Sequence, residues 1–351
     1  MIYQLHEFQK TVMAPAVAMA DLARHAFTSP FSPLAYTPFS RTAAANSELF
    51  VRLMRRYPKP AWDIAETRLD GEAVAVTIET AVARPFCHLL HFRKAVDVAQ
   101  PKLLIVAPLS GHFATLLRDT VRTCLPDFDV WVTEWVDARM VPLSEEAFHL
   151  DDYVDYIRDF IRLLSPELSV MSVCQPTVPV LAAVSLMAAD NEPAVPKAMI
   201  MMGGPIDTRR NPTAVNDFAS GRPHSWFADK VIMRVPMNYP GFMRRVYPGF
   251  LQHASFLAMN PDRHADAHWQ FYNHLIEGEL DDISGNGQTE AAQTLCRNIP
   301  SDKRRHLLAR GVGHYGIFSG RKFREMIYPQ IRSFLQVVSQ RDADLKLVRV
   351  K

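Results

Sequence analysis

The sequence predicts an α/β fold: a mostly parallel central sheet flanked by helices, with an aromatic-rich segment inserted as a cap. Three observations carry this expectation. Strand-like apolar runs alternate with helix-like runs of about 10 to 15 residues, the pattern of βαβ units. One apolar, β-branched run, residues 168–173, stops at Cys174, and a helix-like run follows at once. The rhythm then breaks over residues 205–275, where prolines punctuate aromatic pieces and no sheet strand is evident.

The length of 351 residues suits one large α/β domain or two small ones. With 48% hydrophobic residues a large core is affordable, and a net charge of +2 argues against nucleic acid as the main partner. Twenty-five prolines against 14 glycines imply stiff loops. Cys87, Cys124, Cys174 and Cys296 lie far apart and form no C-x-x-C pair, so neither a metal site nor a disulfide framework is indicated. Their scatter fits a reducing compartment, and a cytoplasmic location is expected. The apolar run 11–20 is interrupted by Pro15 and preceded by Glu7 and Lys10, which reads as an amphipathic helix and not as a signal peptide. No apolar run approaches the roughly 18 residues of a membrane span.

Taken in order, residues 1–72 read as an N-terminal helical arm. Leu5, Phe8, Val12, Val17, Met19 and Leu22 form a loose apolar face, residues 47–56 form a second amphipathic stretch, and a proline–aromatic connector lies between them. The arm leads straight into the first strand without a flexible linker, so its apolar face is expected to pack on the body, although an apolar surface outside the protein could also take it.

Residues 73–204 form the first part of the core. Segments 74–82 and 87–92 are predicted strands joined by a short turn, 102–108 a continuous apolar strand, 113–124 a helix and 130–136 a strand. Segment 151–164 is a predicted helix capped by Asp151, followed by the strand that ends at Cys174, a helix over 178–189 and a strand over 197–202. Residues 205–275 are the expected cap. Residues 276–351 complete the core, with helices over 286–297 and 321–338 and a strand over 305–310.

The chemistry centres on Ser172-Val173-Cys174-Gln175-Pro176, which reads small-x-nucleophile-x-small. That is the nucleophile elbow of α/β-hydrolases with cysteine in place of serine. Strand and helix nearly touch at such a turn, hence the small residues. Pro176 is tolerated in the first helical turn, where N–H groups lack intrahelical partners. The helix N-terminus stabilises a thiolate, and the N–H of Gln175 would be an oxyanion donor. A small buried hydrophobe at a strand end remains open from this stretch alone.

A cysteine nucleophile needs a base, and the base an orienting carboxylate. In this fold the chain order is nucleophile, acid, histidine. Two places answer: an acidic loop with Asp281 and Asp282 between Gly278 and Gly285, and His314 between Gly313 and Gly316. The second oxyanion donor is expected from Ser110 and Gly111, and His112 is expected to line the substrate site because it precedes the nucleophile. Trp226, Tyr239 and Phe242 of the cap and Tyr315 beside the histidine are the further substrate-binding candidates.

At this point the chain resembles the intracellular poly(3-hydroxybutyrate) depolymerases. The matching stretches are residues 104–118 (LIVAPLSGHFATLLR), the elbow Ser172-Val173-Cys174-Gln175-Pro176, Met202-Gly203-Gly204-Pro205-Ile206-Asp207, Asp281-Asp282-Ile283-Ser284-Gly285 with Gly287-Gln288-Thr289, and Gly311-Val312-Gly313-His314-Tyr315-Gly316. They run over nearly the whole chain. The resemblance implies an α/β-hydrolase fold and a triad of Cys174 as nucleophile, His314 as base and Asp281 as acid, with Asp282 a near rival. It implies cleavage of poly((R)-3-hydroxybutyrate) in amorphous storage granules, with water or a thiol such as coenzyme A resolving the acyl-enzyme and no metal or other cofactor. A homo-oligomer stays open. A polyester synthase-like acyltransferase and a granule-surface binding protein with an idle triad are the rival readings. Members of the family are longer just before Glu277, where only Leu275 and Ile276 remain to form a strand leading into the acidic loop.

Overall fold

The structure is a computed structural model; it describes residues 2–54, 59–109, 113–252, 279, 281–296, 299 and 304–349. The arm consists of helices α1 (Ile2–Val12), α2 (Ala14–Thr28) and α3 (Ser40–Met54), of which α2 and α3 pack on each other. Three strands follow, β1 (Glu66–Leu69), β2 (Glu72–Ala83) and β3 (Cys87–Lys94), paired antiparallel in succession. Strand β1 lies inside the range read as the helical arm; it is held as a short edge strand by its four-residue register on β2.

The apolar runs that follow give β4 (Lys102–Val106), helix α4 (Arg118–Cys124), β5 (Asp129–Trp135), helix α5 (Leu150–Leu164), β6 (Leu168–Val173), helix α6 (Thr177–Ala189) and β7 (Ala198–Met202). Among the described residues the sheet order is β1-β2-β3-β5-β4-β6-β7, with β4 parallel to both β5 and β6, and β6 parallel to β7. This is the α/β-hydrolase architecture. Every residue of β6 is buried, as expected of a parallel strand covered on both faces. Alternate residues divide the core: Leu103, Ile105, Met171 and Val173 face Val121, Phe318 and Phe323, whereas Leu104, Val106, Leu168 and Val170 face Ile157, Phe160, Val180 and Met187. The loops after β4 and β6 leave the same sheet edge side by side, the usual place for a site in such sheets.

Several elements differ from the sequence reading. Helix α5 is capped by His149, not by Asp151: the His149 N–H donates to Asp152 Oδ2 at 2.6 Å in a capping box. Residues Ala114–Leu117 form a 3-10 turn ahead of α4. In the expected cap, helices α7 (Ala214–Ser220) and α8 (His224–Lys230) precede a small hairpin of β8 (Met233–Arg234) and β9 (Arg245–Val246). The remaining cap residues, 253–275, lie outside the described ones. Only α9 (Ala292–Leu295) is helical within 286–296. Residues 305–310 carry no strand, and the one ladder-like bond there between described residues is Glu279 N–H to the Ala309 carbonyl, 3.0 Å. The last helix begins as one turn, Gly320–Lys322, passes through a π turn, Phe323–Ile327, and continues as α10 (Tyr328–Arg349). No helix among the described residues is long and apolar enough to cross a membrane.

The arm departs furthest from expectation. Leu5, Phe8, Val12, Met19 and Leu22 are each more than half exposed, while Tyr3 and Glu7 are buried. Polar contacts decide the orientation. The Tyr239 hydroxyl donates to Glu7 Oε2 at 2.7 Å, and Tyr3 packs on Phe250 with ring centroids 5.6 Å apart.

Candidate active site

Buried strand β6 delivers Cys174 into a turn where its φ is 68°, a left-handed conformation that costs a non-glycine residue energy and persists only when its surroundings over-determine it. They do. The Cys174 N–H donates to the Met202 carbonyl at 2.7 Å, and its own carbonyl accepts from Thr177 N–H at 3.1 Å and Thr177 Oγ1 at 2.9 Å. Ser172 is fully buried and donates to the Ile200 carbonyl, 3.3 Å. Gly204 allows the close approach behind the turn, since a Cβ there would stand 1.9 Å from Thr177 Oγ1. Pro176 takes a helical φ of −59° at the start of α6. Cys174 thus stands half-buried at a helix N-terminus, and no described backbone carbonyl accepts from the Gln175 N–H.

His314 reaches the elbow from the turn His314–Ile317. Its Nδ1 lies 3.0 Å from Asp281 Oδ2 and 3.2 Å from Oδ1, and the two side chains are 5% and 4% exposed. Asp281 is fixed in turn, because Oδ1 accepts from the N–H groups of Ile283 at 3.0 Å and Ser284 at 2.9 Å. Asp282 is exposed. With Nδ1 engaged by the carboxylate, Nε2 is the ring nitrogen left for Cys174, which lies close enough to influence the imidazole's charge. Burial opposes the imidazolium, but the adjacent Cys174 and Asp281 charges outweigh it and push the His314 pKa up to about 10. Tyr315 and Phe318 stand edge-on to the imidazole at 5.7 and 5.9 Å.

A frame ties the acid loop to the loop after β7. Thr289 Oγ1 accepts from Gly204 N–H at 2.7 Å and donates to its carbonyl at 2.9 Å. Gln288, fully buried, donates to Asn216 Oδ1 at 2.8 Å and to the Asn211 carbonyl at 3.4 Å. A Cβ at Gly285 would stand 2.0 Å from that same carbonyl. Beside Asp281 the frame leaves a pocket lined by Asn211, Pro212, Thr213, Ala214, Asp282 and Gly285. Sequence reasoning assigned no role to Gln288, Thr289, Gly204 or Asn211; the words Gly203-Gly204 and Gly287-Gln288-Thr289 were its only signal.

The structure therefore brings Cys174, Gln175, His314, Asp281 and Tyr315 together. Ser110, Gly111 and His112 lie outside the described residues. Trp226 stands edge-on to Phe218 and Phe227 and is half-buried. Tyr239 gives its hydroxyl to Glu7 and its ring face to Arg139, whose guanidinium lies 4.9 Å from the centroid. Phe242 is 45% exposed in the loop joining β8 and β9.

Among solved structures, the chain is similar to a hyperthermophilic esterase from the archaeon Pyrobaculum calidifontis: 12% identity, 92% of this chain and 98% of that one covered, TM-score 0.42. It is similar to carboxylesterase CesB from Bacillus subtilis, with 10% identity, 75% and 91% covered, and TM-score 0.42. Naproxen esterase from Bacillus subtilis gives 10% identity, 74% and 92% covered, and TM-score 0.41. No curated protein sequence matches the chain. The family described as "PHB de-polymerase C-terminus" matches in two segments, residues 203–279 and 275–339. The matched residues, 203–339, include Asp281 and His314, the candidate acid and base.

Proposed function

We propose that the chain is a carboxylic ester hydrolase that cleaves poly((R)-3-hydroxybutyrate) with Cys174 as nucleophile, His314 as base and Asp281 as orienting acid. The observation that carries the reading is one imidazole held between a buried carboxylate and a cysteine at a strained strand-to-helix turn. The family match supports the polyester as substrate.

His314 Nε2 takes the thiol proton, and Cys174 Sγ attacks the ester carbonyl carbon. The Gln175 N–H donates to the carbonyl oxygen as negative charge develops on it, with a second donor from the loop after β4. Collapse of the tetrahedral intermediate forms a thioester and breaks the C–O bond, and the imidazolium protonates the departing alkoxide. Water then attacks the thioester as His314 removes its proton, which releases the hydroxy acid end and restores the thiol. Asp281 holds Nδ1–H throughout and fixes the tautomer.

Product analysis from amorphous polymer, with and without coenzyme A, tests the proposal. Release of 3-hydroxybutyrate or its oligomers by water is the expected result. Coenzyme A thioesters formed in its place would make the thiol the acceptor. Polymer growth from hydroxyacyl-coenzyme A would make the chain an acyltransferase. No release at all would leave a binding protein.

A further inference from the structure

We propose that helix α1 is a docking face for the solid polyester: Leu5, Phe8 and Val12 present an apolar stripe outward, while the opposite, polar side of the helix is latched to the cap. The inference rests on the hydrolase reading above for the identity of the polymer.

At 3.6 residues per turn, Leu5, Phe8 and Val12 fall within roughly 60° of one another, and Tyr3 and Glu7 fall on the opposite side. A surface helix ordinarily turns its apolar stripe inward. Here the stripe is 63%, 65% and 57% exposed at those three residues, and the polar side is buried, with Tyr3 at 6% and Glu7 at 8%. The orientation is fixed by specific contacts: Tyr239 to Glu7 at 2.7 Å, Tyr3 against Phe250, and His6 stacked on the same ring at 4.0 Å. Met19 and Leu22 of α2 are exposed as well, at 71% each.

The latch also places the stripe. Strand β5 runs parallel to β4, as does β6, so its C-terminal end lies at the sheet edge where Cys174 emerges. The turn Ala138–Met140 follows β5 at once, and Gly241 N–H donates to the Arg139 carbonyl at 2.8 Å. Tyr239, two residues before Gly241, holds α1. The arm therefore sits on the rim of the same edge as the elbow.

Charge selects the occupant. Residues 2–39 contain four charged side chains, Glu7, Lys10, Asp21 and Arg24. Glu7 is buried, and Arg24 pairs with Asp21 at 2.9 Å. A helix that docks on anionic lipid carries a face of Lys and Arg, which α1 and α2 lack, with Lys10 and Arg24 as their only such residues. A polyester of methyl and ester groups carries no charge and needs no such face.

The full chain with Leu5→Gln, Phe8→Gln and Val12→Gln, and separately with Phe8→Lys alone, tests the proposal by sedimentation with amorphous poly(3-hydroxybutyrate) granules. Turnover of a soluble hydroxybutyrate trimer ester, melting temperature and molar mass by light scattering are read in parallel. At least a tenfold loss of granule binding, with trimer turnover, melting temperature and mass unchanged, is expected. Unchanged pelleting of both variants overturns the proposal. So does a wild-type dimer that the variants dissociate, since a second copy would then cover the stripe, and so does equally tight wild-type binding to phosphatidylglycerol vesicles. A wild type that pellets but leaves the trimer ester intact removes the hydrolase reading, while the pelleting of the variants still decides the role of the arm.

Discussion

His314 Nδ1 and Asp281 Oδ2 face each other at 3.0 Å, with both side chains almost wholly shielded from water. Replacing Asp281 by Asn keeps the shape but offers an amide N–H where the ring needs an acceptor. Asp281→Asn should therefore lower kcat on amorphous polymer by about 10³-fold or more, in line with the loss seen when a triad carboxylate is neutralised. Asp282→Asn, on an exposed side chain, should change it by no more than a few-fold. The reverse order in steady-state rates would move the acid by one residue.

Cys174→Ala and His314→Ala should each abolish turnover, and the double variant should be little worse than either single one. Groups that act as a unit are not additive. Single-turnover rates that fall multiplicatively would show that His314 serves some other step.

The raised pKa of His314 makes stability depend on pH. Its value goes from 6.5 in the unfolded chain to about 10 in the fold. The imidazolium's contribution is thus complete below pH 6.5 and is lost as pH rises through about 10. Chemical unfolding of wild type and His314→Gln at several pH values checks this. The stability difference should be largest near the acid end of that window and shrink toward the alkaline end, whereas a constant difference would exclude a raised pKa.

Gly204→Ala should damage both stability and turnover, because the new Cβ meets Thr177 Oγ1 at 1.9 Å and Thr177 Cβ at 2.4 Å. Overpacking of this kind costs about 1–3 kcal/mol. Thr177→Ala in the same chain should restore only part of the loss, since it removes Oγ1 and Cγ2 but leaves the Cβ contact at 2.4 Å. Full restoration by that second change would show that Oγ1 and Cγ2, and not Cβ, are the obstacle.

Arg244 is 6% exposed and spans the cap and the loop after β5, donating to the carbonyls of Val141, Pro142, Glu145 and Glu146 with its guanidinium 5.0 Å from the Phe86 ring centroid. Arg244→Met should cost about 2–4 kcal/mol in denaturant unfolding, as several charge-assisted bonds disappear and the buried Val141 carbonyl is left unpaired. Lysine should recover little, because a single ammonium cannot span four carbonyls.

The sheet was legible because its strands are continuous apolar runs, and β4 and β6 stop within two residues of where the pattern stops. The elbow was legible because Cys174 sits at the junction of two periodicities. Residues 305–310 misled: Leu307 and Leu308 look like a buried strand, yet they are 43% and 39% exposed and have no neighbour to pair with among the described residues. The orientation of α1 could not be read, since its apolar stripe is as regular as that of any core-facing helix. The contact that turns it over, Glu7 with Tyr239, joins residues 232 apart. The supporting frame of Gln288 and Thr289 was hidden for a similar reason, because its partners lie more than 70 residues upstream.

That same separation sets a schedule for biosynthesis. Helix α1 is made before its latch, and Tyr239 follows Glu7 by 232 residues. At about 5–20 residues per second the ribosome takes on the order of 10–50 s to supply it. Over that interval the nascent arm has neither its polar anchor nor the surface that holds it in place, and its apolar stripe is open to chaperones and to other nascent chains. Docking of α1 thus waits on a residue made 232 positions after its partner.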